Sequence, residues 1–490
     1  MQKRPIISKQ LLWLFLACML LTNCYRLKSS SGGGQIDYSP IRKVDISDIA
    51  LPKGYKIEVV ATNLTFPTAI TFDDEGTPYV IEAGYSYGEV WTEPKLLRID
   101  GKKETTLIAS GGKNGPWTGV EYHNGNFYIA EGGQLKGGKI LRISPEGKVT
   151  ALIDSLPSFG DHHTNAPAIK DGFIYFGQGT ATNSGVVGND NAAFGWLYRY
   201  ENFHDTPCKD ITLTGIDYET ENILTEVPDD IAVTGAYSPY NTPTADGQVI
   251  QGKVPCNGAI MRIPVEGGPV ELVAWGFRNP YGLAFSPDGT LYITENGYDV
   301  RGSRPVWGTG DVLWEVIPGT WYGWPDFSAG ERLENDEEFK PPNQDLVKPV
   351  LAKYPNIPPE PAAILGVHSS SNGIDFSTNS DFGYVGKAFI AQFGDMAPGV
   401  GKVMAPVGFK VVTVDVSNGV IEDFAVNKGE VNGPASWLKE GGLERPIDVQ
   451  FNPAGTALYI VDFGIMKISE RGPKPLKETG AVFKVTREDE

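Results

Sequence analysis

Four short stretches hold the residues whose types and spacing could do chemistry. GDHHTN sets His162 beside His163. GFRNPYGLAF sets Arg278 beside Asn279, directly ahead of an apolar run. TENGY carries Asn296, Gly297 and Tyr298, and Asp311 opens DVLWEVIPGTWYGWP soon after. Arg445 begins RPIDVQFNPAGTALYIVD. A histidine titrates near neutrality and can serve as a general base. An arginine fork grips carboxylates or phosphates through two parallel hydrogen bonds. An amide, a carboxylate and turn carbonyls are hard oxygen ligands suited to Ca²⁺. Each group also has a plainer use. An arginine can cap backbone carbonyls between sheets, one histidine of the pair can be structural, and the Asn296–Asp311 region can be a solvated turn.

The elements that must position these residues form a repeat. Phe66 leads FPTAITFDDEGTPYVIEAG, Pro116 leads PWTGVEYHNGNFYIAEGG, and His163 leads HTNAPAIKDGFIYFGQGT. Arg278 leads RNPYGLAFSPDGTLYITENG, His368 leads HSSSNGIDFSTNSDFGYVGKAFIAQFGD, and Arg445 leads RPIDVQFNPAGTALYIVDFG. Each is a lead residue, an apolar strand, a turn rich in Gly, Asp or Asn, and a second strand, which is a hairpin signature. Between the units lie alternating segments such as KLLRIDGK and GAIMRIPVEGGPVELV, the pattern of half-buried strands. Six strand-rich units of this size predict an all-β fold, a six-bladed β-propeller with loop insertions. The insertions fall at about residues 190–257 and 330–361. In a propeller the innermost strands line one axis, so the lead residues should gather at one mouth. That gathering would bring two arginines and several histidines together. It predicts a cationic pocket for a compact polyanion, with Trp117 offering a flat face for stacking.

The totals fit an exported globular protein. The chain has 490 residues, 41% of them hydrophobic, with 59 Gly and 36 Pro, a turn-rich composition able to bury a full core. A formal net charge of −18 argues against nucleic acid as a partner, because phosphate binding needs clustered cations. Lys3, Arg4 and Lys9 precede the apolar run LLWLFLACMLL, which is too short to span a bilayer comfortably; residues 1–23 read as a signal peptide. LTNC resembles a bacterial lipobox and would place a lipid on Cys24, with residues 24–50 as a lipoprotein-type tether and 51–490 as the propeller. The protein would then be periplasmic or on the outer surface, held to a bacterial membrane by that lipid. Cys208 and Cys256 remain. In an oxidising compartment they predict a disulfide, the alternative being two free buried thiols.

These stretches resemble a known family, the soluble quinoprotein glucose/sorbosone dehydrogenases. The likeness runs from about residue 50 onward. It is most specific in GFRNPYGLAF, in ENGY followed by GDVLWEVIPGTWYGWP, and in GDHHTN. The resemblance implies pyrroloquinoline quinone (PQQ) and Ca²⁺ as cofactors, a small sugar as substrate and an external electron acceptor. It makes His163 the catalytic base, with His162 as the alternative. It assigns Arg278, Asn279 and Arg445 to the quinone. Gly297 and Tyr298 would offer carbonyls to Ca²⁺, with Asn296 and Asp311 beside them. Ile447 stands where the family carries a second arginine. The expected function is therefore an exported PQQ-dependent dehydrogenase that oxidises an aldose or a related aldehyde or hydroxyl substrate by hydride transfer to a Ca²⁺-bound quinone. The alternative is a non-catalytic, surface-anchored propeller that binds a glycan or protein. A metal-dependent lactonase-type propeller ranks last, because that chemistry wants carboxylates at the mouth.

Overall fold

The computed structural model describes residues 42–488, apart from 102, 201, 336, 396–402, 404 and 470–471. The expected signal peptide and Cys24 lie outside the described residues. Within them, six blades of four main strands each are formed, five from consecutive stretches of chain and the sixth closed by a strand from the other end. Blade 1 runs through Pro67–Phe72, Pro78–Glu82, Lys95–Gly101 and Glu104–Ser110. Blade 2 takes Trp117–His123, Asn126–Glu131, Gly138–Ile143 and Val149–Leu156. Blade 3 takes Thr164–Lys170, Phe173–Gln178, Ala259–Pro264 and Glu271–Trp275. Blade 4 takes Pro280–Phe285, Leu291–Glu295, Asp311–Glu315 and Ala363–Gly366. Blade 5 takes Ser371–Phe376, Ala388–Gln392, Lys410–Asp415 and Val420–Asn427. Blade 6 takes Pro446–Phe451, Ala457–Asp462 and Gly480–Arg487, and is completed by Tyr55–Leu64 from the other end of the chain. The six innermost strands touch one another in a closed ring. The fold is the six-bladed β-propeller that the repeat predicts.

Apolar side chains from facing blades fill the gaps between sheets. Blades 1 and 2, for example, share Ile81, Leu96, Trp117, Ile129 and Ile143. Closing the ring removes the exposed sheet edges an open sheet of this size would present. Polar staples tie each inner strand to the next blade. Asp448 accepts the Ile70 N–H at 3.0 Å, Asp375 accepts the Phe451 N–H at 2.7 Å, and Thr118 Oγ1 donates to the Thr164 carbonyl at 2.7 Å. Residues 42–50, expected as the end of the tether, lie on the propeller. Ile49–Ala50 pairs with the outer strand of blade 5, and Arg42 forks onto Asp462 at 2.9 and 3.1 Å.

One feature of the repeat was not visible in its composition. In all six blades the pairing of the first two strands slips register beside the lead residue, between Pro67 and Ala69 in blade 1 and between Pro280 and Leu283 in blade 4. A bulge re-aims the side chain beside it. Six of them at one rim turn the lead residues out of the regular pleat.

The segment inserted between the second and third strands of blade 3 carries two short helices, Asn189–Ala193 and Trp196–Arg199, and the hairpin Asp217–Glu221/Ile231–Gly235. Cys208 and Cys256 are joined by a disulfide across it. This segment meets the chain inserted after the third strand of blade 4 through a Leu213–Leu351 bridge, and both feed one apolar cluster with Trp321, Trp324 and Phe339. Among the described residues no helix is long and apolar enough to cross a membrane.

Candidate active site

The second strand of every blade ends in a carboxylate or an amide, and in blades 4 and 6 that side chain accepts the N–H of the lead residue itself. Those strands end in Glu82, Glu131, Gln178, Glu295, Gln392 and Asp462. Glu295 takes the Arg278 N–H and the Trp314 indole N–H. Asp462 takes the Glu444 and Arg445 N–H groups at 2.7 and 3.3 Å. Gln178 accepts from Thr164 Oγ1 at 2.8 Å. The acceptors stand at one position of the sequence repeat, and that periodicity could have identified them.

His162 and His163 extend the first hairpin of blade 3 beyond its strands. The His162 N–H donates to the Thr180 carbonyl at 3.1 Å, and the Gly179 N–H to the His163 carbonyl at 2.9 Å. The Thr180 N–H in turn donates to the Arg278 carbonyl at 2.9 Å, which brings the histidine pair and the arginine together. Both rings are buried. Burial pushes the His163 imidazole down to about 3. Burial, reinforced by the positive charges of Arg278 and Arg301, pushes His162 well below its ordinary value. Both are neutral bases near pH 7.

Their partners assign different tautomers. His162 Nδ1 sits 3.0 Å from the Thr180 carbonyl, which can only accept, so Nδ1 carries the proton and the lone pair is on Nε2. His163 faces Gln134. The Gln134 Oε1 accepts from the Trp196 indole at 3.2 Å, so its Nε2 faces the Gly160 carbonyl at 3.1 Å and His163 Nδ1 at 3.4 Å. Nδ1 of His163 is thus the acceptor, and its proton rides on Nε2, which is buried and, among the described residues, without a partner. The Tyr87 ring stacks on His163 with centroids 5.9 Å apart.

Arg278 is heavily engaged. Its guanidinium donates to Asn183 Oδ1 at 2.9 Å, to Asp299 at 2.9 Å and to the Asn296 carbonyl at 3.3 Å. Asn279 belongs to a relay of amides around the rim. Asn165 donates to Asn279 Oδ1 at 2.9 Å, Asn279 to Asn296 Oδ1 at 2.8 Å, and Asn296 to the Ser371 carbonyl at 2.9 Å. These contacts cross from blade 3 through blade 4 to blade 5. Asp311 does not point at the rim. Its carboxylate accepts from the Gly297 N–H at 2.9 Å, from Ser369 Oγ at 2.8 Å and from the Ser371 N–H at 2.7 Å, so it shapes the turn. Among the described residues no donor reaches the carbonyls of Gly297 or Tyr298.

Two kinds of expectation need correction, the roles of two side chains and the charge of the mouth. Arg445 is fully buried between the rings of Phe393 and Phe409, and its guanidinium caps the carbonyls of Phe393, Gly394 and Asp395 at 3.1–3.4 Å. It takes the plainer role of an arginine between blades, and no described hydrogen bond or ion pair joins it to Arg278. Trp117 is likewise buried, with its indole N–H on Glu131, and presents no free face. The second correction concerns charge. The histidines are neutral, and the rim carries Asp161, Asp190 and Asp299 beside Arg278 and Arg301. Burial would raise Asp299, but Arg278 and Arg301 hold it well below the usual carboxylate range. Three aspartates against two arginines make an internally compensated mouth, not a cationic ring. Asp161, Asp190, Asp299, Arg301, Asn183 and Gln134 were missed in the sequence. Asp299 and Arg301 stand in YDVRGSR, within three residues of Tyr298, and their nearness to a candidate ligand turn was the one available signal.

Residues 250–371 match the family described as Glucose / Sorbosone dehydrogenase, the family the sequence resembles. The matched stretch contains Arg278, Asn279, the Gly297–Tyr298 turn and Asp311. No curated protein matches the chain in sequence. Among solved structures, the holo PQQ domain of pyranose dehydrogenase from Coprinopsis cinerea is similar, with 14% identity over 90% of this chain and 97% of that one and a TM-score of 0.54. The calcium structure of a Trichoderma reesei carbohydrate-active enzyme of family AA12 gives 17% identity over 92% and 100%, with a TM-score of 0.51. At such identities these likenesses support the propeller fold.

Proposed function

We propose that the protein is a quinoprotein sugar dehydrogenase that oxidises an aldose or related hydroxyl substrate, with PQQ and Ca²⁺ as cofactors. The observation that carries this reading is a buried, neutral histidine beside an arginine and an unengaged pair of turn carbonyls, in the stretch that matches the dehydrogenase family. The residues fit the cofactors. The Gly297 and Tyr298 carbonyls are a hard-cation donor set, and no described cluster of three or more His, Cys, Asp or Glu residues could hold a metal by itself. A cation there would depend on a ligand that brings oxygens of its own, as a tricarboxylate does. Arg278 would hold the quinone's anionic edge, and Asn279 and Asn296 would keep the rim in register.

PQQ, when bound, supplies a two-electron acceptor for the hydride of a substrate C–H bond. The chain's own residues manage the proton. His162 Nε2 carries the lone pair, so His162 takes the substrate hydroxyl proton. His163 Nε2 already carries a hydrogen and is sealed by its surroundings, so His163 supports the rim from behind. Thr180 holds the His162 ring in the tautomer this needs. The leader and Cys24 support export and lipid anchoring, with the electron acceptor outside the cytoplasm.

The test is to supply the purified protein with PQQ, Ca²⁺ and a panel of aldoses and to follow reduction of a redox dye. Turnover is expected in the native protein. It should be lost by a factor of about 10²–10⁴ in His162→Ala and retained in His163→Ala to within roughly tenfold. No turnover by a folded protein would overturn the enzyme reading. It would leave a surface-anchored propeller that binds a glycan or protein, a reading favoured by one observation: both rim arginines are already paired with aspartates.

A further inference from the structure

Arg301 has no place in the chemistry described so far, yet it joins three separate segments of the rim. Its Nη2 lies 2.6 Å from Asp161, its Nη1 lies 2.7 Å from Asp190, and its Nη2 reaches Asp299 at 3.2 Å. Asp161 immediately precedes His162. Asp190 lies in the first helix of the blade 3 insertion. Asp299 follows the Gly297–Tyr298 turn and also holds Arg278 at 2.9 Å. The loop bearing Arg301 is itself fixed, because Asn183 Nδ2 donates to the carbonyls of Asp299 and Arg301 at 2.7 and 3.3 Å. The second oxygens of Asp161 and Asp190 are buried and, among the described residues, without a partner. Arg301 is the cation that compensates both carboxylates. Without it, Asp190 would lose its ion pair and Asp161 would keep only the charge of Arg278 nearby.

We propose that Arg301 is a positioning residue for the oxidation, holding His162 through Asp161 and Arg278 through Asp299, and docking the blade 3 insertion onto the rim through Asp190. This rests on the reading of the rim as the active site. The geometry has a chemical consequence. The groups that face His162 are Arg278 from the blade 3–4 connection, Arg301 and Asp299 from the loop after the turn, and Asp161 and His163 from its own segment, with Asp190 behind Arg301. The arginines oppose its protonation and Asp299 favours it. Arg301 neutralises the aspartates and adds its own charge against a proton on His162, so it keeps the lone pair available to lower pH. The proton taken from the substrate hydroxyl then goes to a ring that is empty at the start of each turnover. The C–H electron pair and its hydrogen would go to the quinone, which supplies the two-electron acceptor.

The experiment reads His162 directly. The imidazole Cε1–H signals are followed against pH by NMR in the full protein without cofactor, with His162→Gln used to assign the signal. The pH profile of kcat is recorded in parallel on the loaded enzyme. In Arg301→Met the His162 titration should move up by at least about one pH unit, a tenfold gain in proton affinity, and the acid limb of kcat should move with it. Arg301→Lys keeps the charge but lacks the fork. It should leave the His162 titration within about half a unit of the native protein while kcat/KM falls about tenfold. A folded Arg301→Met in which His162 titrates as in the native protein would overturn the proposal; should that variant not fold, Arg301→Gln takes its place. The two failures are separable. A shifted titration without sugar oxidation removes the enzyme reading and keeps the arginine's role. Sugar oxidation with an unshifted titration does the reverse.

Discussion

Replacing Asp311 by Asn tests whether the Gly297–Tyr298 turn is a built cation site or a turn like any other. The native carboxylate satisfies three donors, Gly297 N–H through one oxygen and Ser369 Oγ and Ser371 N–H through the other. Asparagine keeps one acceptor oxygen and turns an NH₂ toward the remaining donors. If the oxygen stays with the serines, the Gly297 N–H loses its partner; if it stays with Gly297, the Ser371 N–H does. Each orphaned buried donor costs about 1–3 kcal/mol, and one is orphaned either way, so the variant should lose roughly 1–3 kcal/mol of stability in urea unfolding. The turn should also relax, because the contact that fixes the Gly297 backbone is the one replaced. Calorimetric titration of Ca²⁺ in the presence of PQQ should then show affinity weakened by about 10–100-fold, the usual penalty for losing a group that orients a ligand. Ser369→Ala, which removes one of the three donors together with the bond shared with Ser371 Oγ, should cost about 1–2 kcal/mol. Normal Ca²⁺ binding in an Asp311→Asn protein that has lost the expected stability would refute the assignment of this turn to the cation.

Further outcomes follow from the same coordinates. Cys208→Ser/Cys256→Ser opens a 48-residue connection and should cost up to about 4 kcal/mol on the chain-entropy account, seen as early proteolysis between residues 200 and 257; native-like protease resistance would contradict it. Burial raises Asp205, Glu444 and Asp448 to about 7 and Glu121 to about 8. Each binds its proton more tightly folded than unfolded, so the stability it lends is lost as pH rises through those values. Urea unfolding should therefore give a protein about 1–2 kcal/mol less stable at pH 8.5 than at pH 7, above the range where the depressed histidines oppose the trend; a rise in stability over that window would count against it. Arg445→Met should unfold at lower temperature yet bind PQQ as the native protein does, whereas Arg278→Met should lose PQQ binding. Glucuronate should be oxidised with a kcat/KM about tenfold below that of glucose, because the rim carries one more carboxylate than arginine.

Much of this molecule could be read without coordinates. The propeller follows from the repeat, because alternating apolar runs around Gly- and Asp-rich turns are local signals and their number sets the number of blades. Convergence of the lead residues at one mouth follows from the same repeat. The Cys208–Cys256 pairing follows from there being two cysteines left for an oxidising compartment. What each lead residue does there could not be read, because that depends on neighbours distant in the chain. Arg278 and Arg445 look equivalent in sequence. Only the tertiary structure turns the first to Asn183 and Asp299 and the second onto the carbonyls of blade 5. The tautomers of the histidine pair, and with them the proposed choice of base, depend on Thr180, Gln134 and an indole from the insertion. The charge of the mouth depends on an arginine in a loop outside the repeat. Local patterning determines which strands form and in what order. Hydrogen bonds and ion pairs between segments that meet only on folding decide which of the gathered groups remain free to act.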